Sequence, residues 1–236
     1  MELILNNIEK SFSEKKVLKG CNFSFEKGKI YGLLGRNGAG KTTLFNCISG
    51  DLDCDVGSCE IKVSDSQKIP VEESDIGYVF SVPILPDFLT GYEFIKFYID
   101  INKKKVDMKK SIDDYFEMVQ IKKEDRHRLM KGYSHGMLNK IQMLCFIIAR
   151  PLVILLDEPL TSFDVVVALE IKQLLREMKD EHILIFSTHI LQLATDLCDE
   201  IVVLNNGKLE KVDNSLLKSP QFEQEIIDIL KEEKND

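Results

Sequence analysis

The sequence predicts an α/β protein with a mainly parallel sheet, an N-terminal antiparallel β subdomain and a helical insertion. Fully apolar short segments alternate with helix-like segments after residue 137, which indicates parallel strands covered on both faces. Two β-like segments, Leu3–Ile8 and Val17–Phe25, come first, and the second contains an alternating stretch that favours antiparallel pairing. Between these regions, Leu89 to Met130 has apolar residues at helical spacing only.

Length and composition fit a single domain that spans residues 1–236. Within it we expect residues 1–84 and 137–236 to form the α/β core with the β subdomain, and residues 85–136 the helical insertion. The apolar fraction is 44% and the charged fraction 30%, as in ordinary globular proteins. A net charge of −8 argues against binding nucleic acid through bulk electrostatics, so we expect no nucleic-acid partner.

The six cysteines show no C-x-x-C spacing, which disfavours a metal or disulfide framework and favours a reducing cytoplasm. The first residues lack the basic and long apolar regions of a signal peptide. No segment reaches the ~18 consecutive apolar residues that a membrane-spanning helix needs. We therefore expect a chain that is soluble by itself.

A glycine-rich loop, Gly35–Thr43, follows the predicted strand Ile30–Leu34 and opens the predicted helix Lys41–Ile48. It matches the pattern G-x-x-x-x-G-K-[ST], in which backbone N–H groups and a helix N-terminus surround phosphate groups. Lys41 would add a positive charge for the β- and γ-phosphates, and the Thr42 hydroxyl an oxygen for Mg²⁺. The nucleotide-binding residues predicted here are Gly35, Asn37, Gly38, Ala39, Gly40, Lys41, Thr42 and Thr43.

The next segments are polar at first and then helical. Asp51–Pro70 reads as short strands and turns, and Asp75–Phe80 as a strand. In the insertion, aromatic and aliphatic residues recur at helical spacing, which we interpret as internal packing, with docking of a partner as the alternative. These residues are Phe94, Phe97, Tyr98, Ile112, Tyr115, Phe116 and Val119.

The second half of the chain alternates helices with apolar strands. The expected helices are Leu138–Ala149, Val165–Met178, Leu191–Cys198 and Ser215–Lys231. The expected strands are Leu152–Leu156, Ile183–Ser187 and Ile201–Leu204, with a tight turn at Asn205–Lys208.

Asp157 and Glu158 follow the predicted strand Leu152–Leu156 directly. Two adjacent carboxylates there are costly to desolvate unless a cation or a proton offsets their charge. Asp157 suits orientation of Mg²⁺, and Glu158 suits the general base that polarises an attacking water. The alternative is an acidic pair that is simply solvated in a loop.

His189 follows the predicted strand Ile183–Ser187 after Thr188. Ligands of parallel α/β sheets bind at the carboxyl ends of strands, so we expect His189 to face the same crevice and contact a γ-phosphate. A purely structural histidine is the alternative.

Together these segments resemble the ATP-binding subunit of ABC transporters over nearly the whole chain. Gly35–Thr43 matches the Walker A loop, and Val153–Glu158 matches the Walker B segment with its catalytic glutamate. Thr161–Asp164 looks like the D-loop, which adds Asp164 to the nucleotide-site candidates, and His189 looks like the switch histidine. The resemblance implies a P-loop NTPase core that binds and hydrolyses ATP with Mg²⁺.

The family signature L-S-G-G-Q appears here as Tyr133–Met137, with the sequence Y-S-H-G-M. Ser134 and Gly136 are retained, and the resemblance implies that they contact the γ-phosphate bound by the opposite subunit. His135 and Met137 depart from the consensus, which affects the contact that closes the dimer.

Two further positions are implied by the resemblance. Phe12 stands where the family places an aromatic residue that stacks on adenine, with core packing as the alternative. Ser81 stands where the family has the Q-loop glutamine, and its short side chain would reach Mg²⁺ only through water or a loop shift.

The resemblance implies an ATPase subunit that powers translocation through a separately encoded transmembrane permease. It further implies a second ATP-binding subunit, identical or not, and a peripheral location at the cytoplasmic face of the membrane. Tyr133 and Met137 in the signature resemble export systems more than importers. Two alternatives remain open: a non-transport ABC ATPase that clamps DNA or the ribosome, and a low-activity regulatory ABC subunit.

Overall fold

The computed structural model describes residues 1–80, 83–106, 110–159, 165–213, 215–216, 219 and 222–231. Its strands are β1 (Glu2–Phe12), β2 (Lys15–Glu26), β3 (Ile30–Leu34), β4 (Val56–Ser64), β5 (Gln67–Pro70), β6 (Ile76–Val79), β7 (Val153–Asp157), β8 (Ile183–Thr188), β9 (Glu200–Asn205) and β10 (Lys208–Lys211). Its helices are α1 (Lys41–Ser49), α2 (Gly91–Ile101), α3 (Ile112–Met118), α4 (Lys123–Arg126), α5 (His135–Ala149), α6 (Val165–Met178), α7 (Leu191–Leu197) and α8 (Phe222–Lys231).

A six-stranded sheet forms the centre of the molecule, in the order β10-β9-β3-β8-β7-β6. All its neighbouring strands are parallel except β10, which pairs antiparallel with β9 across a turn at Asn206 and Gly207. Strands β3, β7, β8 and β9 are buried along their whole length, as their uninterrupted apolar character predicts. Because β3, β7 and β8 are parallel neighbours, their carboxyl ends lie at one edge of the sheet.

A second, antiparallel sheet has the order β2-β1-β4-β5, which confirms the predicted β subdomain. Its β1 and β2 extend beyond the predicted segments to Phe12 and back to Lys15. Apolar residues of this sheet, such as Leu5 and Phe25, form one core cluster with Leu44 and Phe45 of α1. Helix α1 therefore lies between the two sheets.

Helices α5, α6 and α7 cover the opposite face of the central sheet, where Phe146, Ile171 and Leu193 pack against strand residues such as Ile154. A separate cluster joins α2 and α3 to α5 through Ile95, Tyr115, Phe116, Val119 and Ile141. The helical segment thus packs on α5. That residues 85–136 form a separate subdomain stays a prediction.

The structure corrects three expectations. Helix α5 begins at His135 and not at Leu138, because Ser134 caps it. Helix α8 begins at Phe222, so Ser215 and Leu216 lie outside it. Phe97, predicted to pack internally, is 56% exposed on α2. Over the ranges described above, no helix combines the length and apolarity needed to cross a membrane.

Candidate nucleotide site

The glycine-rich loop joins the buried strand β3 to α1 at the carboxyl edge of the central sheet. Gly38 and Gly40 have φ angles of 82° and 105°, a left-handed conformation that favours glycine. A Cβ at Gly40 would also lie 2.7 Å from the Val17 side chain. Gly40 precedes α1 without a side-chain cap, so the first N–H groups of the helix can receive an anion.

Lys41 is folded back over this loop and is only 6% exposed. Its Nζ donates to the Gly35 carbonyl at 2.9 Å, and lies 3.4 Å from the Arg36 carbonyl and 3.9 Å from Glu158 Oε1. Burial lowers the pKa of Lys41, although Glu158 and Asp157 act in the opposite direction. A partly desolvated ammonium group therefore faces the interior of the loop, where a phosphate would gain most from it.

Asp157 ends β7 and accepts two hydrogen bonds from neighbouring elements. Thr42 Oγ1 on α1 donates to its Oδ2 at 2.7 Å, and Ser187 Oγ on β8 donates to its Oδ1 at 2.5 Å. Asp157 is thereby held in one orientation beside the glycine-rich loop.

The oxygens of Thr42 and Asp157 fit Mg²⁺, which is usually held by one or two protein oxygens, substrate phosphates and water. Thr42 Oγ1 and Asp157 Oδ2 are already adjacent. Across the residues that the structure describes, this site included, no group of three or more His, Cys, Asp or Glu side chains is placed to hold a metal ion.

Glu158 and His189 come together beside the loop. The Glu158 N–H donates to Ser187 Oγ at 3.0 Å, and Glu158 Oε1 lies 3.2 Å from His189 Nδ1. Glu158 has a φ of 50°, a left-handed conformation that is uncommon for residues other than glycine. Glu158 and His189 are thus direct neighbours. The sequence predicted only that both would face the same crevice.

A cavity of about 650 Å³, which is large enough for a nucleotide, opens over the glycine-rich loop, Asp157 and Glu158. Phe12 is 48% exposed at this cavity and lies outside the core, so the core-packing alternative for it is wrong. Lys15 and Val17 also line the cavity, although they belong to no motif and could not be predicted from the sequence. The lining residues are Phe12, Lys15, Val17, Asn37, Gly38, Gly40, Lys41, Thr42, Thr43, Asp157 and Glu158.

Among the residues that the structure describes, five predicted site residues do not line this cavity. Gly35, Ala39 and His189 lie beside residues that line it, whereas Ser134 and Gly136 lie at the start of α5. Ser134 caps α5, where its Oγ accepts the Met137 N–H at 3.2 Å, and Gly136 lies in the first turn of that helix. Neither is among the described residues that line the cavity. Ser81 and Asp164 lie outside the part of the chain that the structure describes.

The chain is similar to known transport proteins. Residues 18–161 match the ABC transporter family model. The chain is 33% identical, over 90% of its length, to the sulfate/thiosulfate import ATP-binding protein CysA of Synechocystis sp., and covers 60% of that protein. It is 30% identical, over 91% of its length, to the protein of the same name in Vibrio cholerae, and covers 58% of it. The chain thus spans about 60% of the length of these relatives.

Solved structures show the same fold. An ATP-binding subunit of an ABC transporter superposes with a TM-score of 0.80 at 20% identity, covering 98% of this chain and all of that chain. A dimeric ATP-binding cassette in a post-hydrolysis state with ADP and phosphate has a TM-score of 0.73 at 22% identity, covering 89% of this chain and 99% of that chain. The family model covers well over half of the 236 residues, and the chain therefore belongs to the ABC transporter family.

Proposed function

We propose that this protein hydrolyses ATP to power translocation through a separately encoded transmembrane permease. The observation that supports this best is the convergence of five polar side chains at one edge of the central sheet. They come from three separate elements and lie beside a loop built to bind phosphate. These side chains are Lys41, Thr42, Asp157, Glu158 and His189.

ATP would bind with its phosphates in the glycine-rich loop and its adenine near Phe12. The loop N–H groups and the N-terminus of α1 would receive the phosphate oxygens. Lys41 would exchange its hydrogen bond to the Gly35 carbonyl for one to the phosphates. The exposed ring of Phe12 offers a face for the base to stack on.

Glu158 would act as the general base. Its carboxylate is partly buried and would accept a proton from a water that attacks the γ-phosphate. His189, 3.2 Å from Glu158, would keep that carboxylate in place and contact the γ-phosphate. Thr42 and Asp157 would hold Mg²⁺, which supplies positive charge to the phosphates when bound. Ser81 would reach Mg²⁺ only through water or a loop shift.

A second ATP-binding subunit would complete the site. Ser134 is exposed at the N-terminus of α5 and does not reach the cavity of its own chain. In a head-to-tail pair, Ser134 and Gly136 of one subunit would contact the γ-phosphate bound by the other, with Asp164 in the same interface. Because ATP would then contact both subunits, hydrolysis would release the pair and move the permease.

Family membership supports a permease partner and a peripheral location at the cytoplasmic face of the membrane. The export direction predicted from the signature is not confirmed, since both relatives are named for the import of sulfate and thiosulfate. The direction requires a transport measurement in membrane vesicles with the permease present.

The test measures phosphate release by the purified chain and identifies what it co-purifies with from detergent-solubilised membranes. We expect release of phosphate from MgATP and recovery of a protein with several membrane-spanning helices. Co-purification with ribosomes or DNA instead would contradict the transport function and favour a clamp. Failure to release phosphate even with the permease present would favour a low-activity regulatory subunit.

A further inference from the structure

The carboxyl end of β8 places a hydroxyl group between the two acidic residues at the end of β7. Ser187 is completely buried and lies opposite Asp157 in the parallel pairing of these strands. Its Oγ lies 2.5 Å from Asp157 Oδ1 and 3.0 Å from the backbone nitrogen of Glu158. One side chain therefore contacts both the proposed metal-binding residue and the proposed general base.

The directions of these two hydrogen bonds follow from their chemistry. A backbone N–H can only donate, so the Ser187 oxygen must accept the bond from Glu158. The single hydroxyl proton of Ser187 is then donated to Asp157. Since Thr42 donates to the other carboxylate oxygen, hydroxyl groups from two different elements fix the rotation of Asp157.

The bond to Glu158 also supports an unfavourable backbone conformation. Glu158 has a φ of 50°, and such a conformation persists only where surrounding contacts hold it. The bond from its N–H to Ser187 is one such contact, and it lies immediately beside the side chain that reaches His189. Loss of this bond would allow the Glu158 carboxylate to shift.

We propose that Ser187 is a positioning residue for ATP hydrolysis, which sets the rotation of Asp157 and the backbone of Glu158 together. This role rests on the proposed function and acts through the two acidic residues, without a contact to the nucleotide. This role affects two steps differently. Binding of ATP without Mg²⁺ should not require Ser187, whereas binding of Mg²⁺ and turnover should require it.

The test replaces Ser187 with alanine and measures kcat, the Mg²⁺ concentration for half-maximal activity, and ATP affinity in EDTA. We expect kcat to fall about tenfold or more, because the bond to the charged Asp157 carboxylate and the bond from the Glu158 N–H are both lost. The half-maximal Mg²⁺ concentration should rise, while ATP affinity in EDTA stays within about twofold. Ser187→Cys, which keeps the shape with a weak donor, should give an intermediate kcat.

Two variants separate positioning from simple loss of packing. Ser187→Thr keeps the hydroxyl group and suits a strand, so it should restore kcat to within about threefold of wild type. Ile185→Val lies on the same strand and the same face, is fully buried, and removes only a methyl group. It should lower the unfolding temperature without changing the Mg²⁺ dependence.

Wild-type kcat and Mg²⁺ dependence in Ser187→Ala would overturn the proposal. So would a lower kcat and a higher half-maximal Mg²⁺ concentration in Ile185→Val. If the wild-type chain hydrolyses no ATP, the proposed function fails. The role of Ser187 is then tested by the effect of Mg²⁺ on ATP binding. Mg²⁺ should then strengthen ATP binding less in Ser187→Ala than in wild type. An equal effect of Mg²⁺ on both would overturn the role of Ser187.

Discussion

At the scale of single residues, the site depends on polar groups held in unfavourable environments. Lys41 is almost fully buried beside backbone carbonyls, and Glu158 has a left-handed backbone. Both features cost free energy in a protein without bound nucleotide. The sequence could predict Lys41 and Glu158 because motifs mark them. It could not predict Ser187, because a serine near a strand end carries no pattern of its own.

Replacing Lys41 with methionine should abolish nucleotide binding and stabilise the protein. Burial lowers the pKa of Lys41, so the folded state carries a cost for its charge at neutral pH. We expect the variant to gain roughly 1 kcal/mol in free energy of unfolding, or about 2–4 °C in Tm. Thermal unfolding and ATP titration measure the two effects.

The gain in free energy of unfolding of Lys41→Met should decrease as the pH rises. The cost is fully present below the lowered pKa of Lys41 and disappears as the pH rises towards the ordinary lysine value of 10.5. The difference in Tm between the variant and wild type should therefore shrink as the pH rises through the lowered pKa of Lys41 towards 10.5. Lys62→Met, which removes a partly exposed lysine paired with Glu2, is the control and should show neither effect. Unchanged ATP affinity in Lys41→Met would refute the assignment of the loop.

Phe12→Ala should weaken ATP binding without changing kcat at saturating ATP. Stacking of a base on an aromatic ring contributes about 1–3 kcal/mol, so we expect at least a fivefold increase in Kd. Phe12→Tyr should bind as wild type does, because a phenol ring stacks equally well. Phe97→Ala removes a similarly exposed phenylalanine from α2 and serves as the matched control. An equal Kd for Phe12→Ala and wild type would leave Phe12 without a role in binding.

At the scale of elements, α5 connects the central sheet to the helical segment. One of its faces packs against β7 and β8, and another packs against α2 and α3. Its N-terminus begins at Ser134, so the same side chain serves as the helix cap and as the proposed contact to the opposite subunit. The sequence predicted this helix too short because the polar residues of the signature interrupt its apolar pattern.

Ser134→Asp should separate these two roles. Aspartate caps helices as well as serine does, so the Tm should stay close to wild type. Its negative charge would repel a γ-phosphate, so ATP-dependent dimerisation should be lost. Ser111→Ala removes the cap of α3 and should show the reverse, about 1 kcal/mol less stability with dimerisation intact. Analytical ultracentrifugation with MgATP measures the dimer, and normal dimerisation of Ser134→Asp would exclude this residue from the interface.

The buried strands were the most predictable elements. Strands β3, β7, β8 and β9 each lie within one residue of the predicted bounds at either end, because uninterrupted apolar segments mark them. Element ends with polar sequence were less predictable, as the late start of α8 shows. Phe97 has the spacing of a core residue and yet faces solvent, because spacing alone does not specify which face of a short helix is covered.

At the scale of the whole molecule, topology brings distant residues together. Thr42 and Asp157 are 115 positions apart in sequence, and their side chains hydrogen-bond because α1 starts and β7 ends at the same sheet edge. The sequence could predict this convergence, since carboxyl ends of parallel strands lie together. That Ser134 stays away from the cavity of its own chain was implied only by the family resemblance, because residue spacing alone does not give the position of α5.

The most direct test of the account measures phosphate release and molecular mass for Glu158→Gln in the presence of MgATP. We predict that the variant binds ATP like wild type and accumulates as a dimer. It should release phosphate at least a hundredfold more slowly, which corresponds to about 2.7 kcal/mol in the activation barrier. Glu177→Gln makes the same substitution on the exposed face of α6, where the carboxylate accepts a bond from Gln173, and should behave as wild type. Wild-type phosphate release by Glu158→Gln would contradict the account.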